Sequence, residues 1–163
     1  MTRRSSAPAV ALGIGAIAGL RTMVPPAAIA WALRRGTLQT ESLAFTRAIP
    51  AKASKRIIEL AVSELIADKL PFTPSRLRFK PLAFRLVSGA ACGAIASGAL
   101  KQSMGLGAVL GGLGGLAGAV IGHRVRKVFS REISPFAVAL LEDAVAITGS
   151  IALVTIMAKE QSR

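Results

Sequence analysis

Residues 134–158 read SPFAVALLEDAVAITGSIALVTIMA. As a helix this run exceeds the ~20 residues needed to cross the ~30 Å hydrocarbon core of a bilayer. It holds no Lys or Arg, yet an acidic pair, Glu142-Asp143, sits inside it. Two ionised carboxylates deep in a membrane helix cost roughly 5–7 kcal/mol on the insertion scale. The ten Val, Leu, Ile and Phe residues of the run return roughly 3–6 kcal/mol. The segment therefore reads as a membrane helix whose acidic pair, near mid-membrane, faces away from lipid. There it is paired, protonated, ion-bound or wetted by a cavity.

The remainder of the 163 residues follows the same composition. Apolar residues make up 52% and charged residues 18%, with a mean hydropathy of +0.55. That is too apolar for a soluble core to cover and too poor in charge for a disordered chain. The net charge is +13, but the cations fall in bursts between apolar runs, as topology signals do. Examples are Arg34-Arg35 with Arg47, Lys52, Lys55 and Arg56; Arg76, Arg78, Lys80 and Arg85; and Arg124, Arg126, Lys127 and Arg131. Bursts at the ends of apolar runs mark topology rather than a base-reading surface, so nucleic acid is not an expected partner. The partner is the lipid bilayer. One cysteine, Cys92, and one histidine, His123, exclude a disulfide framework and the usual zinc motifs. No nucleophile, base and orienting residue form a set, so the chain reads as a non-enzyme without a cofactor.

These features predict an all-α polytopic membrane protein, a single multi-pass domain over residues 1–163. It has four to five membrane segments at about 7–33, 57–70, 82–100, 104–122 and 134–158, at least one of them broken or re-entrant. The first segment is interrupted by Arg21 and Pro25-Pro26, because proline removes a backbone donor and clashes with the preceding turn. Its pieces, 7–20 and 22–33, form either one bent span or a re-entrant hairpin whose arginine-bearing ends share a side. Residues 34–56 read as a polar connection and residues 123–131 as a basic loop. Only Lys101-Gln102-Ser103 separates segments three and four, an antiparallel pair. The charge rule places Arg78 and Arg126 on the cytoplasmic side and Lys101 outside.

Small residues recur every fourth position at Gly89 and Gly93, and at Gly107, Gly111 and Gly115, with Gly114, Gly118 and Gly122 offset from them. Such stripes let helix backbones approach closely, within one chain or across a homo-oligomer. Glu64 and Asp68 are i, i+4 and share a helix face. Intramembrane ionisable residues are default site candidates, so a substrate- or ion-binding set of Arg21, Glu64, Asp68, Glu142 and Asp143 is expected, with Arg21 as countercharge.

Three local patterns, Gly19-Leu20-Arg21 with prolines soon after, Glu64-Leu65-Ile66-Ala67-Asp68-Lys69-Leu70-Pro71, and Glu142-Asp143 in a late helix, together resemble a bacterial integral-membrane family called domain of unknown function 4126. The resemblance spans segments one to five. It implies a small multi-pass protein of the bacterial plasma (inner) membrane and no particular activity. The residues themselves point to a translocator of a small solute or cation. The alternative is a non-transporting scaffold or assembly factor in which the same charges lock helices together.

Overall fold

A computed structural model describes residues 6–39, 51–67, 79–129 and 133–162. Of these, 88% are helical and none lies in a strand. The described residues form six helices: α1 (Ala7–Leu20), α2 (Val24–Arg34), α3 (Ala51–Ala67), α4 (Phe79–Ala99), α5 (Met104–Phe129) and α6 (Pro135–Gln161). Three are long and apolar enough to cross a membrane, over Pro81–Ala99, Met104–Phe129 and Pro135–Gln161, and α1 is a shorter apolar helix.

Burial is inverted relative to a soluble protein. Gly107, Gly111, Gly114, Gly115 and Gly118 are inside, whereas Leu106, Val109, Leu113, Ile121, Leu140, Leu141 and Val145 are exposed. A continuous apolar exterior over a small-residue interior is the arrangement of helices solvated by lipid. These helices mark a membrane-embedded protein.

The centre is a three-helix seam. α5 lies between α1 and α4, antiparallel to α4 and parallel to α1. A Cβ built on Gly15 or Gly19 of α1 would strike the carbonyl of Gly111 or Gly115, and one on Gly89 or Gly93 of α4 would strike that of Gly111 or Gly107. The glycines thus bring backbones into contact within the chain. Gly15-xxx-Gly19 belongs to this seam as much as the glycines of α4 and α5.

The first apolar segment is two helices that double back on each other. Val24 packs with Ile17 and Ala146, while Ile29 and Ala32 pack with Val10, Ile14, Val154 and Met157. α2 therefore returns along α1, and the bend is at Arg21–Met23, not at the prolines. Pro25 and Pro26 instead occupy the first turn of α2, where a missing N–H leaves no bond unmade and a fixed φ suits the helix. α2 ends in a Schellman motif: Gly36 has φ +68° and donates to the Leu33 carbonyl at 3.2 Å, and Thr37 donates to Ala32 at 3.1 Å. The left-handed residue there has to be glycine at low cost.

Four boundaries differ from the sequence reading by three residues or more, among them the end of α6, at Gln161 rather than 158. α3 begins at Ala51 rather than 57, so Lys52, Lys55 and Arg56 lie on a helix and not in a connection. α4 begins at Phe79 rather than 82. α5 runs to Phe129 rather than 122, because His123-Arg124-Val125-Arg126-Lys127 contains no helix breaker and basic residues favour a helix C-terminus. Hydropathy ends where lipid would end, and the helix continues beyond it. Arg34, Arg35, Lys52, Lys55, Arg56 and Lys159 lie toward the same end of the bundle as Lys101. Basic residues therefore crown both ends, and the charge rule gives a weaker orientation than Lys101 alone suggested.

Candidate functional site

The bend between α1 and α2 carries Arg21, which is fully buried. Its guanidinium meets α6: Nε donates to Asp143 Oδ1 at 2.6 Å, Nη2 lies 2.5 Å from the same oxygen, and Nη2 donates to the Ala139 carbonyl at 3.4 Å. Glu142 Oε2 stands 3.9 Å from Arg21 Nη2. The same oxygen accepts from Arg126 of α5, at 3.0 Å from Nε and 2.8 Å from Nη2. Both carboxylates are buried. Ser134 caps the start of α6 by accepting from Ala137 N at 3.2 Å, and Pro135 follows it. This fixes the helix two turns before the acidic pair.

Breaking a helix frees backbone groups at the bend, and charged side chains take them. Arg85 of α4 is buried; its Nη1 donates to the carbonyls of Gly19 and of Leu20, the latter at 2.8 Å. These are orphan acceptors at the C-terminus of α1. Ser88 Oγ donates to the Thr22 carbonyl at 2.6 Å. Glu64 of α3 accepts from the amides of Thr22 and Met23, each at 2.7 Å, and so sits at the positive N-terminus of α2. Three arginines and three carboxylates thus gather around one bend: Arg21 and Arg126 pair with Glu142 and Asp143, while Arg85 and Glu64 bind the freed backbone groups.

The structure brings together Arg21, Glu64, Glu142 and Asp143 from the expected set, with Glu64 on the backbone rather than on Arg21. Asp68 lies outside the described residues. The acidic pair is not midway along the bundle. Asp143 is in the first third of α6, level with Arg126 near the end of α5 and Arg85 near the start of α4. Charges near a helix end can be met by arginines rooted at the interface, which the bilayer centre does not offer. Sequence reasoning missed Arg85 and Arg126, which looked like ordinary members of their bursts. Among the described residues, no three His, Cys, Asp or Glu side chains are grouped to hold a metal ion.

The family model for a domain of unknown function, DUF4126, matches residues 9–156, from α1 into the last turns of α6. The chain belongs to that family. No curated protein and no solved structure matches it. The match to DUF4126 covers the whole charged bend, so the site lies within the family's own domain.

Proposed function

We propose that the protein is a translocator of a small solute or ion in a bacterial plasma membrane, with the α1–α2 hairpin as its re-entrant, movable element. The observation that carries this reading is the balanced set of three arginines and three carboxylates gathered at a helix break. Membrane transport proteins use broken helices as binding elements, because the break presents helix ends and free backbone groups. A buried ion pair adds little stability over well-packed apolar residues, so the use of this one lies in being switchable. A proton delivered to Glu142 would loosen the tie between Arg21 and Arg126. It would leave excess positive charge at the bend, where an anionic group could bind. The arms of the hairpin, 14 and 11 residues, extend roughly 21 and 16 Å and fall short of the ~30 Å core.

A second reading, the scaffold or assembly factor, is favoured by how closely Arg21 and Asp143 are engaged. Flux separates the two. Purified protein in liposomes should show saturable, proton-dependent uptake of a small organic anion from a test panel, and Glu142→Gln should lower it about tenfold or more, the scale of losing one charge partner. If the wild type adds no flux above empty liposomes for protons, alkali cations or any solute of the panel, the scaffold reading stands.

The hairpin has its own test. In a Cys92→Ala background, single cysteines at Ser6 and at Thr37 should react with a membrane-impermeant maleimide from the same side of intact cells. Reaction from opposite sides would show one bent span through residues 7–33.

A further inference from the structure

A cleft of about 420 Å³ runs between α2, α3 and α6. Its walls come from regularly spaced positions: Val24, Ala27, Ala28 and Trp31; Ile58, Ala61, Val62 and Leu65; and a face of α6 from Ile147 to Ala158. It is apart from the charged bend, whose Arg21, Glu142 and Asp143 do not line it. Small residues at Ala27, Ala28, Ala61 and Ser150 deepen it, and the exposed rims at Trp31, Val62 and Ile151 leave it open at the side of the bundle.

Shape suits a long, thin occupant. Ile147 and Ala158 are roughly 16 Å apart along α6 at ~1.5 Å per residue. The cleft is thus a long slot, open along one side of the bundle, that an extended hydrocarbon chain can follow.

Charge selects the head group. α3 runs back along α2, with Glu64 at the start of α2, so the other end of the cleft lies between the C-terminus of α2 and the first turns of α3. Arg34, Arg35, Lys52, Lys55 and Arg56 are all exposed there. Among the described residues, two acids offset them: Glu59, 3.8 Å from Lys55, and Glu160 near the end of α6. The Arg35 guanidinium lies 4.5 Å from the centre of the Trp31 ring, which keeps a cation at the mouth.

We propose that this cleft holds one acyl chain of an anionic phospholipid, with the lipid phosphate against the cationic rim of α2 and α3. The proposal is independent of whether the protein transports anything. Chain and phosphate are recognised separately, by an apolar slot and by Lys and Arg side chains attracted to anionic lipid.

Trp31 is the single tryptophan of the chain and lines the cleft, so it reports occupancy directly. The full-length protein is reconstituted in phosphatidylcholine vesicles containing increasing amounts of chain-brominated phosphatidylglycerol or, separately, chain-brominated phosphatidylcholine. Brominated phosphatidylglycerol should reach half-maximal quenching at a mole fraction about fivefold lower or less, a preference of the size that a few cations confer. Ala61→Phe, which keeps every charge, should remove the preference by filling the slot; Val62→Phe on the exposed rim serves if Ala61→Phe does not fold. Lys52→Gln with Lys55→Gln should bring the two curves together while quenching persists. Equal quenching by both lipids in the wild type would overturn the proposal. So would a preference that survives the filled slot, since that assigns it to surface charge. Quenching by both lipids that vanishes as the protein-to-lipid ratio rises would assign the cleft to a second copy of the chain.

Discussion

Replacing Arg21 with alanine should destabilise the folded protein by about 3–5 kcal/mol, the cost of leaving a buried carboxylate without its partner. Arg21 is fully buried and reaches Asp143 at 2.6 Å. Water cannot take over the role of the guanidinium without opening the bend. Adding Asp143→Asn should recover part of the loss, with a coupling energy on the order of 1–3 kcal/mol in a double-mutant cycle. Coupling to Glu142 should be smaller, because that carboxylate is 3.9 Å from Arg21 and is held by Arg126. Coupling to Glu64, which binds the Thr22 and Met23 amides, should be smaller still. Unfolding midpoints in detergent measure all three cycles. Additive effects of Arg21→Ala and Asp143→Asn would show that the pair carries no energy of its own. Arg21→Met with Asp143→Leu completes the series. Apolar replacement of both partners of a buried pair is often neutral or stabilising, so this variant should fold. If it folds and loses flux, the charges serve translocation; if flux and folding both survive, they are a clasp.

The apolar segments were legible because lipid imposes one compositional rule on every helix that meets it. Residues 104–122 and 134–158 satisfy that rule without ambiguity. The helix ends were not legible in the same way. α5 continues through Arg124, Arg126 and Lys127 to Phe129, because backbone hydrogen bonding is indifferent to whether the outer side is lipid or water. At Pro25-Pro26 the sequence shows a break but not its position. A proline pair both ends one helix and suits the first turn of the next, and the chain bends before it, at Arg21–Met23. In the site, Arg21, Glu142 and Asp143 stand out because a charge inside an apolar run is costly. Arg85 and Arg126 do not, because a basic residue at the edge of a run is already accounted for by topology. Which of several edge arginines turns inward depends on which helices adjoin. That is set by the glycine seam, whose partner faces no single segment reveals.

The seam gives the other large effect. Gly111 adjoins two helices at once: a Cβ there would fall on the Gly89 carbonyl and 3.0 Å from the Gly93 Cα, and the Gly111 carbonyl itself abuts Gly15. The obstacles are backbone atoms, which cannot rotate aside as a side chain can. Gly111→Ala should therefore cost about 1–3 kcal/mol, and Gly111→Leu more, as α5 is forced away from α1 or α4. Gly112, one residue on, supplies the control. A Cβ there meets only the Ala90 Cβ, at 3.8 Å, an ordinary contact, so Gly112→Ala should leave folding unchanged or slightly improved. Monodisperse yield and unfolding midpoint in detergent should separate the two alanine variants clearly. Equal behaviour of Gly111→Ala and Gly112→Ala would mean that the three backbones are not in contact. Arg85 and Arg21, held on helices that the seam positions, would then lose the geometry on which the charged bend depends. For the same reason Gly111→Leu should abolish the coupling between Arg21 and Asp143, although neither residue touches Gly111.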